Sequence, residues 1–188
     1  MKIKLFKNLN QVKKNICSEL ISAVTHKDNR EISLATCENN IPSLRIVILR
    51  KFTSNFELHI FTDLRSKKSE EMIKNKNVSV LYYNKFEKIQ IRLNGTSKIF
   101  GEKINWENLS ENSKINYNTK LPPGTKLKGN IFSYNKKMNI GIKNFAIYKI
   151  TIEQIDWLKL AYQNSSRARF KVIRDKEKIK LEGTWLVP

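Results

Sequence analysis

Five β-type runs crowd into residues 32–99 with a single short helical stretch among them, and this spacing limits the fold more than any other feature. The runs are Ile32–Cys37, Leu44–Lys51, Glu57–Thr62, Val78–Asn84 and Ile89–Ile99. Each is rich in Val, Ile, Leu, Tyr or Phe and is bounded by Asn, Ser, Thr, Asp or Gly, the residues that end strands. The interruption at Ser66–Asn75 reads as a short polar helix, apolar mainly at Met72 and Ile73. Consecutive short strands with only one short helix between them favour antiparallel pairing, because each parallel crossover needs a dozen or more residues. The pattern therefore predicts an antiparallel barrel or sandwich, a mainly β protein with flanking helices.

The rest of the chain extends this plan. Leu9, Val12, Ile16, Leu20 and Val24 recur at helical spacing and predict an N-terminal helix over 8–25. A second helix is predicted over Trp106–Tyr117, stopped by Leu121-Pro122-Pro123-Gly124. Residues 124–144 are polar and lysine-rich and read as a long surface loop or lid. Strands return at Phe145–Ile152, Ile155–Leu160, Arg167–Ile173 and Ile179–Val187. With no repeat and no linker, residues 1–188 are expected to form one domain, with 1–28 as its helical N-terminal arm.

Composition excludes several classes. No apolar run approaches the roughly 18–20 residues needed to span a bilayer, and the N-terminus lacks the apolar core of a signal peptide. Cys17 and Cys37 are too few for a disulfide framework or a metal site, so a reducing cytoplasm is the expected setting and no metal is expected. The formal charge is +19, from 36 Lys and Arg against 17 Asp and Glu. Such a field attracts polyanions. Yet the lysines are scattered over every segment, and no nucleic-acid-binding motif accompanies them. That scatter favours codon drift plus a small anionic ligand over a nucleic-acid partner.

Where the anion would sit is suggested by Arg45, Arg50, Lys67 and Lys68. In Thr62-Asp63-Leu64-Arg65-Ser66-Lys67-Lys68 a strand gives way to a helix, whose first N–H groups and positive dipole end favour phosphate. Thr62 and Ser66 add hydroxyls. Lys67 and Lys68 oppose the helix dipole, an arrangement that an anion between them would relieve. Arg45 and Arg50 are an odd number of residues apart, so they point to opposite sides of a regular strand unless a bulge intervenes. Gln90 and Arg92 share one face of their strand, with Ile91 and Leu93 on the other.

Taken in order, Arg45-x-Val47-x-Leu49-Arg50, Phe61-Thr62-Asp63-x-x-Ser66-Lys67-Lys68, Val78-x-Val80-x-Tyr82-Tyr83 and Gln90-x-Arg92-x-x-Gly95 resemble the FMN-binding split barrel of the pyridoxamine 5'-phosphate oxidase family. The resemblance implies an antiparallel split β-barrel carrying FMN. Arg45, Ile46, Val47 and Leu49 would line the flavin, and Arg50 would meet both flavin and substrate. Phe61, Thr62 and Ser66 would contact the cofactor, and Lys67 with Lys68 would hold its phosphate. Gln90 would face the ring from a neighbouring subunit, since the family forms homodimers with flavins at the interface. Arg169 stands at the last flavin-contacting Arg. Arg167 stands in the place of a substrate-binding His, and Ser165 in that of a substrate-binding Arg. Trp157 stands one position before a flavin-contacting Trp, with Leu158 in that place, so a flavin contact and a core position both remain open. Tyr117 and Thr125 fall where a Tyr and a Ser of the substrate-phosphate clamp would lie. Leu121 replaces the clamp's Arg, and Lys120 could compensate. By this resemblance a small-molecule substrate would pass a hydride to flavin N5, with oxygen as acceptor. The missing arginines make flavin binding the firmer expectation than turnover of pyridoxamine phosphate. A flavin carrier without family chemistry is the alternative, and a basic nucleic-acid binder a third.

Overall fold

A computed structural model describes residues 6–26, 30–101, 106–129, 132–137, 140–175 and 178–188. Helix α1 (Leu9–Thr25) leads into strands β1 (Glu31–Glu38), β2 (Ile41–Phe52) and β3 (Glu57–Asp63). Helix α2 (Lys67–Lys74) then precedes β4 (Asn77–Asn84) and β5 (Ile89–Ile99). Short helices α3 (Glu111–Ile115) and α4 (Gly141–Asn144) come before β6 (Phe145–Lys159), β7 (Ser166–Asp175) and β8 (Lys178–Leu186).

All the strand pairings are antiparallel, in the order β3-β2-β1-β4-β5-β6-β7-β8. A further pairing of β3 with β6 closes six of them into a barrel. Strand β6 makes this possible. Its 15 residues lie along β5 on one edge, while the other edge is divided between β3 (Phe145–Thr151) and β7 (Gln154–Lys159). The sequence predicts two strands here, broken at Glu153-Gln154. The structure runs one strand through a bulge, because the register with β5 jumps from Asn94↔Gln154 to Gly95↔Ile152 and leaves Glu153 as the extra residue. At that jump the backbones approach so closely that a Cβ on Gly95 would lie 2.0 Å from the Thr151 carbonyl oxygen.

The barrel interior is apolar, filled by Leu34, Leu49, Leu58, Ile60, Val80, Ile91, Leu93, Tyr148, Ile150 and Trp157 among others. Helix α1 covers it with Val12, Ile16, Leu20 and Ala23. Polar ties fix its position: the Trp157 indole donates to Asn15 Oδ1 at 2.8 Å, and Asn84 donates to the buried Glu19 at 2.9 Å. Burial, with the Glu19 carboxylate at its side, pushes the Tyr82 phenol up to about 12. His59 is buried, and its Nε2 has no hydrogen-bond partner among the described residues.

A second, smaller cluster sits on the outer side of β3 and β6. Phe145 and Ile147 pack there with Trp106, Phe61 and Tyr117. The helix predicted over Trp106–Tyr117 is realised only as α3; Trp106 is instead buried in this cluster. Within the expected 124–144 loop, residues 130–131 and 138–139 lie outside the described residues. The others include an isolated bridge, Thr119↔Tyr134, and the helical turn α4. No helix among the described residues is long and apolar enough to cross a membrane.

Replacing Gly95 with Ala forces the β5–β6 contact apart. It is expected to lower stability by about 1–3 kcal/mol in urea unfolding. Unaltered stability would show that the bulge has slack.

Candidate functional site

Alternation along β2 sorts the predicted residues. Val47 and Leu49 point inward and are buried in the barrel core, so their side chains cannot line a ligand; only their backbone could. Ile46 points outward and is 60% exposed, flanked by Leu44 (72%) and Ile41 (69%) on the same strand. Arg50 coincides with the place where the β2–β3 register shifts, between Leu49↔Ile60 and Lys51↔His59. A bulge does occur, and it re-aims the residues after Arg50: Lys51 is exposed and Phe52 packs against the core.

The four predicted cations therefore part company. Arg45 lies under α2, where a carboxylate missed in the sequence reading holds it. Glu71 Oε2 accepts from Arg45 Nη2 at 2.7 Å and from the Thr36 hydroxyl, while Oε1 accepts from Ser43 Oγ at 2.9 Å. Arg45 Nη1 donates to Thr36 Oγ1 and the Leu34 carbonyl. Burial alone would push the Glu71 carboxyl up. The hydrogen bonds from Thr36, Ser43 and Arg45, with the Arg45 charge, outweigh burial and hold it below the ordinary value.

Lys67 and Lys68 are adjacent in sequence and differ completely in setting. Lys67 is 62% exposed and turned outward to Glu38 Oε2 at 2.7 Å, a carboxylate shared with Lys74. Those two lysines hold the Glu38 carboxyl at about 2. Lys68 is half-buried and makes no hydrogen bond or ion pair within 4 Å among the described residues. Burial first, then repulsion from Arg45, push its ammonium below the ordinary lysine value, against a smaller pull from Asp63. An ammonium left unpaired in such a place, near a second cation and at the first turn of α2, is a cradle for an anion.

The hydroxyls at this turn are already engaged. Ser66 Oγ donates to the Asp63 carbonyl at 2.6 Å, Ser69 Oγ to the same oxygen at 2.9 Å, and Thr62 Oγ1 lies 3.4 Å from Ser66 Oγ, all buried. They shape the turn. Arg65, also missed from sequence, braces it from outside. It grips Asp63 through Nε (3.0 Å) and Nη2 (2.7 Å) and reaches the Thr119 carbonyl with Nη1 (2.9 Å). That clamp ties the helix start to the segment carrying Tyr117 and Lys120; the Asp-x-Arg spacing was its only signal.

Arg50 stands on the outer side, its guanidinium 5.1 Å from the Phe61 ring centre, with a buried Nε that has no hydrogen-bond partner among the described residues. Phe61 packs edge-on to Phe145, which meets Tyr117 at 5.1 Å. Burial pushes the Tyr117 phenol up, with Arg50 lowering and Asp63 raising it, so these three groups share one electrostatic neighbourhood. Lys120 is exposed, and Thr125, on the wall of a hollow of about 330 Å³ bounded by Pro122, Leu127 and Tyr134, donates its hydroxyl to the Pro122 carbonyl at 2.8 Å.

On the far side of the sheet, Gln90 is half-buried opposite Leu158. Trp157 is fully buried, packs on Phe6 at 4.7 Å and points into the core, so its side chain cannot face a ligand outside the barrel. The outward register position belongs to Leu158. Arg167 and Arg169 converge on Asp156, which Arg92 also meets.

Residues 10–101 match the family described as pyridoxamine 5'-phosphate oxidase, FMN-binding domain. That match covers just under half of the chain. Two proteins named pyridoxine/pyridoxamine 5'-phosphate oxidase are similar over part of the chain. That of Ehrlichia chaffeensis is 33% identical over 81 residues (42% of this chain, 40% of that protein), and that of Psychrobacter cryohalolentis 40% over 75 (38% and 34%). The matched stretch thus spans well under half the length of these relatives. The fold resemblance extends further. A pyridoxamine 5'-phosphate oxidase-related, FMN-binding protein from Nostoc punctiforme superposes with a TM-score of 0.72 at 18% identity, covering 96% of this chain and all of that one. PhzG from Burkholderia lata, in complex with tetrahydrophenazine-1-carboxylic acid, does so at 0.67 and 15%, covering 98% of each. The cofactor of the matched domain is FMN, and the residues fit its phosphate, because Lys68 has no acidic partner within 4 Å among the described residues at a helix start, next to an Arg45 already paired with Glu71.

Glu71 generates a pH test. A carboxyl whose folded value lies below its unfolded value, about 4.3, stabilises fully above that value and loses the contribution as pH falls through the depressed one. Glu71→Gln is expected to cost about 1–3 kcal/mol at pH 7, and the gap to the wild type should shrink toward pH 3 in urea unfolding. A gap constant with pH would show that Glu71 carries no such linkage.

Proposed function

We infer that this protein is an FMN-dependent oxidoreductase acting on a small molecule, with the cofactor's phosphate held by Lys68 and Arg45 at the start of α2. The carrying observation is the half-buried, unpaired Lys68 ammonium beside Arg45. When bound, FMN supplies two-electron redox chemistry. The chain's own residues bind and orient. Glu71 and Thr36 hold the Arg45 side chain in place, and Arg65 locks the β3–α2 turn to residue 119. Arg50, on its bulge over Phe61, brings a cation with an unused buried donor to the edge of the aromatic cluster, beside Tyr117. Gln90 and Arg169, on the outer face of β5 and β7, are assigned to the ring, and Arg167 to the substrate. Lys67, already neutralised by Glu38, is given a structural role rather than a phosphate contact.

The exposed Leu44 and Ile46 on the outward face of β2 support a homodimer, with this face of β2 against a second copy. The free thiols of Cys17 and Cys37 accord with a reducing cytoplasm. A second reading, flavin carriage without oxidation of pyridoxamine phosphate, is favoured by the clamp positions: Thr125 spends its hydroxyl on Pro122, and Lys120 is exposed.

Purified protein reconstituted with FMN should show the flavin visible spectrum. Lys68→Ala is expected to weaken FMN binding at least tenfold, about 1.4 kcal/mol, and Lys67→Ala by less than threefold, both read by fluorescence quenching on titration. A colourless protein that takes up no FMN, or the opposite ranking of the two lysines, would overturn this assignment. Peroxide released on adding pyridoxamine phosphate would exclude the carrier reading. In light scattering, Leu44→Asp with Ile46→Asp should turn a dimer into a monomer; a wild type that is monomeric with FMN bound contradicts the dimer.

A further inference from the structure

The segment between α3 and α4 differs from the rest of the surface in its charge. Lysines occur along the whole chain, but between Glu111 and Glu153 every charged residue is a lysine. The first and last of these have acidic partners: Lys114 meets Glu111 at 2.9 Å, and Lys149 meets Glu57 at 2.8 Å. Lys126, Lys128, Lys136 and Lys137 are exposed and make no ion pair among the described residues.

The same segment turns apolar side chains to solvent. Leu121 is 46% exposed, Leu127 39%, Phe132 52% and Tyr134 41%. With Pro122 and Pro123 they meet around the hollow of about 330 Å³, whose lining includes no charged side chain. Single exposed apolar residues are ordinary, whereas a contiguous group marks an interaction surface. The neck beneath this group is braced. Asn118 Nδ2 donates to the Asn135 carbonyl at 2.9 Å, Asn135 Nδ2 donates to the Asn118 carbonyl at 3.0 Å, and Arg65 holds the Thr119 carbonyl from the barrel. An apolar cluster is thus presented on a fixed base, with unpaired lysines between and after its members in the chain.

We propose that this segment docks the protein on an anionic lipid surface. Leu121, Leu127, Phe132 and Tyr134 enter the boundary between headgroups and acyl chains, and Lys126, Lys128, Lys136 and Lys137 meet the anionic headgroups. The side chains speak against a nucleic acid as the polyanion. None of the cations is an arginine, the residue that grips phosphates and guanine edges with paired donors. Phe132 and Tyr134 pack edge-on against each other at 5.4 Å rather than offering parallel faces to successive bases. Leucine and proline contribute little to stacking, and they gain by leaving water for a lipid phase. The docking surface does not depend on the flavin reading.

Co-sedimentation of the full chain with lipid vesicles, FMN present, tests the proposal. The protein should pellet with vesicles containing phosphatidylserine, less so as salt is raised, and stay in solution with phosphatidylcholine alone. Leu127→Asp with Phe132→Asp should weaken binding about tenfold or more. Lys126→Gln, Lys128→Gln, Lys136→Gln and Lys137→Gln together should do the same. A control variant with Lys7→Gln, Lys14→Gln, Lys76→Gln and Lys98→Gln removes as much charge from exposed positions elsewhere, and should bind like the wild type. All three variants change exposed side chains, and each is compared at an unchanged melting temperature. No pelleting with phosphatidylserine, an equal loss in the control variant, or full affinity after the two aspartate exchanges would overturn the docking surface. Binding of a single-stranded oligonucleotide that the four exchanges at 126–137 abolish, without pelleting on any vesicle, would overturn it in favour of a nucleic acid.

Discussion

Strand β6 has to satisfy three neighbours at once. Its backbone N–H and C=O groups are shared along one edge with β5 and along the other with β3 and then β7. Buried backbone groups left unpaired are costly, so a strand that must leave the barrel halfway can do so only where another strand takes over its edge. The bulge at Glu153 and the side-chain-free approach at Gly95 allow that exchange. Closure of the barrel depends on it, and with closure come the buried core and the two outer faces, one carrying the aromatic cluster and the other the arginines.

Two buried carboxylates act in a similar way. Glu71 and Asp156 are each held below the ordinary carboxyl range by hydrogen-bond donors, Glu71 by Thr36, Ser43 and Arg45 and Asp156 by arginines, and each fixes guanidinium groups in place. For Asp156 burial again opposes the shift, and the Arg167 bonds, with those of its neighbours, prevail. A guanidinium tethered on one edge loses less freedom when an anion meets the other. The lysines divide along the same line. Lys67 has its own surface carboxylate and is neutralised, whereas Lys68, one residue on, is half-buried without one.

The site's motifs were legible where they depend on local order alone. The Arg-x-Val-x-Leu-Arg strand, the turn into α2 and the run to Gly95 lie close together in the chain, and their pairing by hairpins follows from short connections. The side chains they expose were less legible. Val47 and Leu49 belong to the motif yet face the core, and Trp157 sits in the interior under α1 because its neighbour Leu158 occupies the outward register position. Glu71, Arg65 and Asp156 carried no motif. Their importance comes from partners 26, 54 and 64 residues away in sequence, namely Arg45, Thr119 and Arg92.

The amino-acid sequence by itself determined the antiparallel strands, the N-terminal helix and the helix start flanked by cations, since alternation, helical spacing and turn residues act over a few residues. Only the tertiary structure decided that β6 is one bulged strand closing the barrel and that the segment 106–117 yields a buried Trp106 more than a helix. It also decided which of two adjacent lysines is left uncompensated. Those outcomes turn on which distant carboxylate, carbonyl or strand edge reaches a given group, and that is settled by three-dimensional packing rather than by neighbouring residues in the chain.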